Sequence, residues 1–437
     1  MVCFYIFTIG CQMNKADAER IRGYLASFGL VESSVLEEAD LIILVTCGVR
    51  QSAEDRIFGL IPNWRAGKPG LKIVLTGCLA LRDDVRQKLA NEIDLWLPIY
   101  DLPALGAGLG LAQPTTDNSY NSLSYLALQP HYDSLVSAYV PIGNGCNNFC
   151  SYCVVPYARG REVYRPHAEI VEEVKKLIRR GYKEIILIAQ NVNSYSSLVE
   201  NGESLDFADL FRMVDAIEGD WWLRFSTSHP KDMSDKLIQA VAGGKHACQY
   251  FHFALQSGDD EILRRMNRRY TAAHYLELVK RIREASPEAM ISTDIIVGYP
   301  GETLEQFEHT VSVMQEAGLD MAYLSQYSPR PGTVSAKELD DVPKEEKQRR
   351  ETYLNDLLRL SGRANNQKYL GRTVVVLVDS IKQDKMGNLI AGGKTADFKT
   401  VRFPASDVTV GQWASVAIDK ARDFSLLGHL VEAKSSL

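Results

Sequence analysis

The 437-residue chain contains no apolar run of the roughly 18 residues that a transmembrane helix needs. Its first residues, Met1 to Phe7, lack the basic flank of a signal peptide. The net charge is −6, so no overall positive charge favours nucleic-acid binding, although a local basic patch could still provide it. The eight histidines include no pair at H-x3-H spacing, so no histidine-based metal site is expected. These absences predict a cytoplasmic protein with no membrane partner.

Cysteine is scarce, with eight residues, but three of them lie close together in the sequence. Cys146, Cys150 and Cys153 form a C-x3-C-x2-C motif that has no fourth cysteine nearby. Three thiolates can hold three irons of a [4Fe–4S] cluster, which leaves the fourth iron open. An open iron suits S-adenosylmethionine, whose amino and carboxylate groups can chelate it, and one electron then releases a 5′-deoxyadenosyl radical. The alternatives are a zinc site that lacks a ligand or three cysteines buried in a core.

A second set of cysteines is dispersed, but its members share one setting. Cys11, Cys47 and Cys78 each follow a predicted strand directly. Because the carboxyl ends of parallel strands lie at one edge of a sheet, the three thiols can converge there. The pattern predicts a second [4Fe–4S] cluster with one open iron, and the alternative is three buried structural cysteines. Cys3, inside a strand, and Cys248, just before one, are predicted to be packing residues.

The order of apolar runs predicts an α/β protein of three domains. Residues 1–112 alternate apolar strands with charged helices, which is typical of an open parallel α/β sheet. Residues 113–134 include a polar stretch and are predicted to be a linker. Residues 135–368 contain six strand–helix units, which predict a partial (β/α)6 barrel. Residues 369–437 have short Val-rich runs between Gly, Asp and Pro, which indicate a small antiparallel β-barrel.

Five polar or aromatic residues near the predicted barrel strands are candidates for holding the cosubstrate. Gln190, Ser226, Gln256 and Asp294 lie at strand ends, where barrel active sites form. Each could equally be an ordinary buried group with a hydrogen-bond partner. Tyr152, inside the cysteine motif, can pack on the adenine of S-adenosylmethionine or in the core.

Two stretches are locally basic. The run Arg264, Arg265, Arg268 and Arg269 follows a predicted strand and indicates either a solvated helix face or a contact with RNA phosphates. Residues 366–402 hold seven Lys or Arg against three Asp, and the same two interpretations apply. The barrel predicted there favours RNA, because small β-barrels often bind nucleic acid on a polar face.

Motifs along nearly the whole chain carry a resemblance to a known family. They are GCQMN at 10–14, TCGVR at 46–50, TGC at 76–78, CNNFCSYCVVPYARG at 146–160, QNVN at 190–193, SHP at 228–230, LQSG at 255–258, TDIIVGYPGET at 293–303 and YSPRPGT at 327–333. With them the chain resembles the methylthiotransferases of the radical S-adenosylmethionine superfamily. It is most similar to the MiaB branch, since QMN after the first cysteine differs from the Pro-Lys-Asn usual in the branch that modifies a ribosomal protein.

The resemblance implies an activity, a substrate and partners. It implies that a methylthio group is inserted at C2 of N6-isopentenyladenosine next to the tRNA anticodon, with two [4Fe–4S] clusters and two uses of S-adenosylmethionine. It also implies a C-terminal TRAM domain that binds RNA, an electron donor such as a flavodoxin or ferredoxin, and a sulfur source. The alternatives are threonylcarbamoyladenosine in tRNA or a ribosomal-protein side chain as the target and, more distantly, a non-catalytic iron–sulfur protein that binds RNA.

Overall fold

The computed structural model describes residues 2–49, 51–111, 125–199 and 202–434. Along the chain these residues form an open parallel sheet, a half-open barrel of six parallel strands and a closed barrel of five strands. The predicted α/β class and the predicted architecture are therefore confirmed. Among the described residues no helix is both long enough and apolar enough to cross a bilayer.

The N-terminal sheet is parallel throughout, and its order is β2-β1-β3-β4-β5. The central strand LIILVT is buried at every position, because helices cover both faces of the sheet. The elements are β1 (Cys3–Thr8), α1 (Gln12–Ser27), β2 (Val31–Glu32), β3 (Leu41–Thr46), α2 (Gln51–Gly67), β4 (Lys72–Gly77), α3 (Asp83–Lys88), β5 (Leu95–Trp96) and α4 (Leu105–Gly108). Strands β1, β3 and β4 end at one edge, where the three dispersed cysteines follow them.

The predicted linker, 113–134, divides into two parts. Residues 113–124 lie outside the described residues. In the remainder, Tyr125, Leu126 and Leu128 are buried in the core of the N-terminal sheet. The phenol of Tyr125 also donates a hydrogen bond to Asn144 Oδ1 at 3.0 Å. The described part of this stretch therefore packs against the first two domains, because its apolar side chains complete a core.

Six parallel strands form the half-open barrel in the order β6, β9, β12, β13, β14 and β15, with isolated parallel bridges joining β12 to β13. Alternate side chains face the surrounding helices in one large core. The elements are β6 (Ser137–Pro141), β7 (Gly143–Asn144), α5 (Val155–Arg159), β8 (Val163–Tyr164), α6 (His167–Arg179), β9 (Glu184–Ile188), β10 (Ser196–Leu198), β11 (Ser204–Asp206), α7 (Phe207–Asp215), β12 (Trp222–Ser226), α8 (Asp235–Ala242), β13 (Tyr250–His252), α9 (Asp260–Arg265), α10 (Ala272–Ala285), β14 (Met290–Val297), α11 (Leu304–Ala317), β15 (Met321–Gln326) and α12 (Lys344–Gln367).

The N-terminal domain packs on the open face of this barrel. Met13 and Ala16 of α1 are buried against Ile186 and Ile188 of β9. These two isoleucines alternate with Ile185 and Leu187, which face the outer helices. Helix α1 therefore covers the concave side of the strands, and the first domain lies beside the barrel opening.

The C-terminal barrel consists of β16 (Thr373–Gln383), β17 (Leu389–Lys394), β18 (Thr400–Pro404), β19 (Trp413–Ala421) and β20 (Leu426–Lys434). Its pairings are antiparallel except for β18 with β20, which close the barrel in parallel. It docks on the amino ends of the central strands. The rings of Trp413 and Trp222 lie 4.6 Å apart, and Arg224 donates to the carbonyls of Thr395 and Ala396 at 2.7 Å each. Cys248 is buried in the same contact, as predicted for a packing residue.

Candidate functional site

The C-x3-C-x2-C loop follows the carboxyl end of β6 and leads into α5. The side-chain amide of Asn148 donates to Cys146 Sγ at 3.5 Å. The backbone N–H of Val155 donates to Cys153 Sγ at 3.4 Å. Hydrogen bonds to the sulfurs favour the thiolate form, which is the form that binds metal.

The basic run after β13 does not form one surface. Helix α9 ends at Arg265, and Asn267 adopts a left-handed backbone (φ 57°) that turns the chain inward. Arg264 stays exposed and pairs with Glu261, whereas Arg268 is buried and donates to Cys150 Sγ at 3.5 Å. Neither the solvated face nor the phosphate contact predicted from sequence holds for Arg268. It supports the cysteine loop instead.

At the carboxyl edge of the N-terminal sheet, glycines allow the chain segments to approach closely. A Cβ placed on Gly10 would lie 2.6 Å from Cys47 Cβ, and one placed on Gly48 would lie 3.3 Å from Cys78 Cβ. The residue after Gly10 is Cys11, whose thiol donates to Asn14 Oδ1 at 3.5 Å. The structure therefore brings together the segments that carry the three dispersed cysteines.

The two sets of thiols face each other across the domain boundary. A Cβ on Gly48 would lie 3.3 Å from Cys78 Cβ and also 3.3 Å from Cγ2 of Val154, the neighbour of Cys153. Burial raises the pKa of the Cys153 thiol most, and the thiols of Cys150, Cys146 and Cys78 raise it further. Because Cys78 belongs to the other domain, this electrostatic effect spans the interface.

Among the residues that the structure describes, no three cysteine, histidine or acidic side chains come close enough to share a single metal ion. In a four-iron cluster, each of three thiolates binds a different iron, so the cysteines are spaced more widely than the ligands of one ion.

A buried ion pair joins the two domains between the thiols. Arg159, at the end of α5, pairs with Asp17 of α1 at 2.5 Å, and both side chains are almost fully buried. Arg159 also donates to Asn14 Oδ1 at 3.1 Å and to Asn144 Oδ1 at 3.2 Å. Asn14 in turn donates to the carbonyls that end β1 and β3, at Ile9 and Thr46. One guanidinium thus connects the edge of the first sheet to the second domain.

A second arginine ties the same domains together near Cys47. Arg330, from the loop after β15, donates to Glu54 at 3.0 Å, to Gln51 at 2.7 Å and to the carbonyl of Val49 at 2.9 Å. Glu54 also accepts from Arg82 at 2.6 Å. Burial raises the pKa of the Glu54 carboxyl, while the two guanidinium groups lower it. The segment that follows Cys47 is therefore held to the loop after β15.

A cavity of about 330 Å³ opens at this interface. Its walls come from both domains and from the loop after β15, and they include Cys78, Val154, Tyr157, Pro331 and Gly332. Apolar walls with a few polar groups are usual for small-molecule pockets, and this volume lies within their range.

The candidate cosubstrate residues have different surroundings. Gln190 Oε1 is buried and has no hydrogen-bond partner within the described ranges. Gln256 is buried with a left-handed backbone (φ 71°). Ser226 ends β12 and is half-buried. Asp294 Oδ2 lies 3.1 Å from His252 Nε2. Tyr152 packs against an apolar group that contains Ile262, Met266, Tyr299 and Tyr327.

Sequence reasoning missed several residues. Arg159 and Arg330 lie within stretches that carry the family resemblance, and so does His229, which is buried beside the ring of Tyr270, but the sequence alone gives none of the three a role. Arg268 was assigned to the basic run, and His252 was not singled out at all. The motifs at 146–160, 228–230 and 327–333 were the available signal for the first three, since an arginine or histidine inside a site motif commonly serves the site.

Some of the basic residues in the C-terminal domain contact other parts of the protein. Lys399 pairs with Asp320 at 2.7 Å, and Arg372 pairs with Glu288 at 2.9 Å. Lys394 is half-buried over the ring of Phe398. In the described residues of this domain, the candidates for contact with RNA are exposed basic side chains that form no ion pair with the central domain, and they include Lys368, Lys382, Lys385, Arg402, Lys420 and Arg422.

Three known sequence families match the chain in order. They are the Uncharacterized protein family UPF0004 over residues 3–98, the Radical SAM superfamily over 140–314 and the TRAM domain over 367–431. The tRNA-2-methylthio-N(6)-dimethylallyladenosine synthase of Clostridium novyi (strain NT) is 40% identical over an alignment of 440 positions, which covers 98% of this chain and 96% of that protein. The chain belongs to this synthase family. The member from Desulfitobacterium hafniense (strain Y51) is 37% identical and covers 96% of this chain and 95% of its own.

Solved structures share the fold of this synthase-family chain. The radical S-adenosylmethionine methyltransferase TsrM from Kitasatospora setae superposes with a TM-score of 0.56, at 14% identity, over 77% of this chain and 75% of its own. The cobalamin-dependent S-adenosylmethionine radical enzyme OxsB superposes with a TM-score of 0.51, at 10% identity, over 82% of this chain and 56% of its own. At these identities the likeness concerns the fold alone.

Replacing Arg159 tests the interface of this synthase-family fold. Arg159→Ala leaves Asp17 buried without its partner, and breaking a buried ion pair costs about 3–5 kcal/mol. We expect the free energy of unfolding from urea denaturation to fall by that amount. Arg161→Ala, two residues along on an exposed side chain, is the matched control and should cost less than about 1 kcal/mol. Equal losses in the two variants would contradict the role given to Arg159.

The lowered pKa of the buried His229 side chain predicts how the stability of the protein depends on pH. Burial, with Arg268 and Lys231 nearby, lowers its pKa from 6.5 to about 2. Between these values the unfolded chain binds a proton that the folded chain does not, so stability is full above pH 6.5 and falls as the pH drops below it. The loss approaches about 1.4 kcal/mol per pH unit.

Urea denaturation of wild type and His229→Gln between pH 6.5 and about pH 5 measures this slope. The variant should lose less stability than wild type over the interval. His274→Gln on α10 is the control and should follow the wild-type curve. Parallel curves for His229→Gln and wild type would show that another group causes the acid sensitivity.

Proposed function

We propose that this chain inserts a methylthio group at C2 of N6-isopentenyladenosine next to the tRNA anticodon, by S-adenosylmethionine-dependent methyl transfer and radical chemistry. The observation that carries the proposal is the placement of two cysteine triplets on opposite sides of one domain interface, joined by Arg159 and Asp17. Membership of the synthase family supports the substrate, because its relatives carry that substrate in their name.

The residues present fit two [4Fe–4S] clusters. Cys146, Cys150 and Cys153 would hold one. Their sulfurs accept hydrogen bonds from Asn148, from Arg268 and from the backbone N–H of Val155, respectively. The thiols of the N-terminal sheet, Cys11, Cys47 and Cys78, would hold the other. Together with S-adenosylmethionine, a cluster held by Cys146, Cys150 and Cys153 would supply the electron that yields a 5′-deoxyadenosyl radical, which can remove the unreactive hydrogen at C2 of adenine.

The chain's own residues bind and orient the reactants. Gln190, with its unpartnered Oε1, would accept a hydrogen bond from the S-adenosylmethionine. Asp294 would accept another, and His252 restricts its orientation. Gln256, Ser226 and Tyr152 complete the proposed cosubstrate wall. The cavity beside Cys78 and Tyr157 would admit an unpaired base from an RNA loop, which can leave its stack at a cost of a few kcal/mol.

Partners follow from the reaction. The target base lies in a single-stranded tRNA loop, where bases are accessible, and the TRAM domain with exposed Lys382, Lys385 and Arg402 would bind the phosphates. The radical step consumes one electron, so a donor of the flavodoxin or ferredoxin class is required. The product gains a sulfur atom, so a sulfur source is required too. These partners and the tRNA substrate accord with a cytoplasmic location.

Iron analysis tests the two-cluster arrangement. We expect about eight irons and eight sulfides per chain after anaerobic reconstitution, since each four-iron cluster contributes four of each. Cys150→Ala should hold about four irons and form no 5′-deoxyadenosine. Cys47→Ala should also lose about four irons but keep part of the cleavage activity. Cys248→Ala, a buried cysteine outside both sets, is the matched control and should keep the full complement.

Nucleoside mass spectrometry identifies the substrate. Expression of the chain in a strain that lacks the tRNA modification should restore 2-methylthio-N6-isopentenyladenosine, whereas the Cys47→Ala chain should not. A methylthiolated threonylcarbamoyladenosine or ribosomal-protein side chain in its place would assign the enzyme to another branch. A full iron content with no methylthiolated product of any kind would leave only the non-catalytic iron–sulfur protein.

A further inference from the structure

Arg268 occupies an unusual place beside the cysteine loop. It is 8% exposed, and each guanidinium nitrogen has one partner. Nε donates to Tyr270 Oη at 2.8 Å, and one terminal nitrogen donates to the carbonyl of Ala254 at 2.5 Å. The other terminal nitrogen donates to Cys150 Sγ at 3.5 Å. Two bonds thus orient the planar group, and the third is directed at the sulfur.

The charge of Arg268 is not cancelled locally. Within the described part of the chain no carboxylate forms an ion pair with it, whereas its neighbours Arg264 and Arg265 pair with Glu261 and Glu338. A guanidinium keeps its proton in proteins, so the positive charge is permanent. In a buried place water screens that charge weakly, and its effect on an adjacent thiolate is correspondingly strong.

We propose that Arg268 is a positioning residue that raises the reduction potential of the cluster held by Cys146, Cys150 and Cys153. Reduction adds one electron, taken from a one-electron donor, and so adds negative charge beside the guanidinium. A hydrogen bond from a cation to a cluster sulfur stabilises the reduced form more than the oxidised form. This inference rests on the proposed function, because it requires that cluster.

A redox titration followed by electron paramagnetic resonance tests the proposal. The full chain with Cys11, Cys47 and Cys78 replaced by Ala would carry a single cluster, which removes overlapping signals. In that background, Arg268→Gln should reduce the ratio of reduced to oxidised cluster about tenfold at a given applied potential, the size expected for one charge-assisted hydrogen bond. For a one-electron couple this is a shift of about 59 mV to more negative potential.

Three further variants separate charge from architecture. Arg268→Lys keeps the charge without the planar fork and should give an intermediate potential. Tyr270→Phe removes a partner that orients Arg268 but leaves the donor to Cys150, and should change the potential little. Arg264→Gln, on the same run but exposed, is the matched control and should give the unchanged value.

The outcomes are distinct. An unchanged potential in an Arg268→Gln protein that holds about four irons would overturn the inference. If neither Arg268→Gln nor Arg268→Lys held its irons while Tyr270→Phe did, Arg268 would serve assembly alone, and the effect on potential would be refuted. Absence of any cluster from the single-cluster background protein itself would instead count against the proposed function.

Discussion

The pairing of Arg159 with Asp17 is the contact on which the arrangement of the site depends. A buried charge without a partner is costly, so neither domain can move away without exposing or stranding one of them. Asn14 extends the constraint, because it bonds both Arg159 and the ends of two strands of the first sheet. Directional polar contacts therefore fix how the two sets of cysteines lie relative to each other. Apolar packing has no such directionality and would fix their positions less narrowly.

A second contact, from Arg330 through Glu54 to Arg82, joins the same two domains. Both contacts use arginine, whose planar group can bond several acceptors at once. Ala158 and Pro331, the chain neighbours of Arg159 and Arg330, line the cavity beside Cys78, so both contacts restrain its walls. The pocket is then formed before a substrate arrives, which reduces the ordering that binding would otherwise require.

Much of the fold and the two sets of thiols could be predicted from sequence. The apolar runs marked the parallel strands, and Cys11, Cys47 and Cys78 each follow one. Because parallel strands end at the same edge of a sheet, the shared position of the three cysteines could be predicted. The supporting arginines could not be predicted in the same way. Arg159 and Asp17 are 142 residues apart in the chain, and no local pattern specifies such a pairing. The role of Arg268 depends on Asn267, whose left-handed backbone turns the chain inward after α9. Arg268 therefore does not continue the exposed helix face of Arg264.

The count of basic residues within 366–402 could not show which of them are available to RNA, for a related reason. Lys399 and Arg372 contributed to the basic excess of the C-terminal domain, yet both form ion pairs with the central domain, and Lys399 is buried while Arg372 stays exposed. Composition records how many charges a segment has, but only the packing shows which of them remain exposed to a partner. Asp320 and Glu288 belong to another domain, so the balance within residues 366–402 could not include them.

The docking of the C-terminal barrel has a consequence for the shape of the substrate. It is attached at the amino ends of the central strands through Trp413 and Arg224, whereas the cysteine loop follows their carboxyl ends. Trp222 begins β12, and this five-residue strand runs about 16 Å from that contact towards the edge where the cysteine loop lies. A ligand that contacted both the C-terminal barrel and the cysteine loop would therefore have to extend along the strands, which a polynucleotide is long enough to do and a single nucleoside is not.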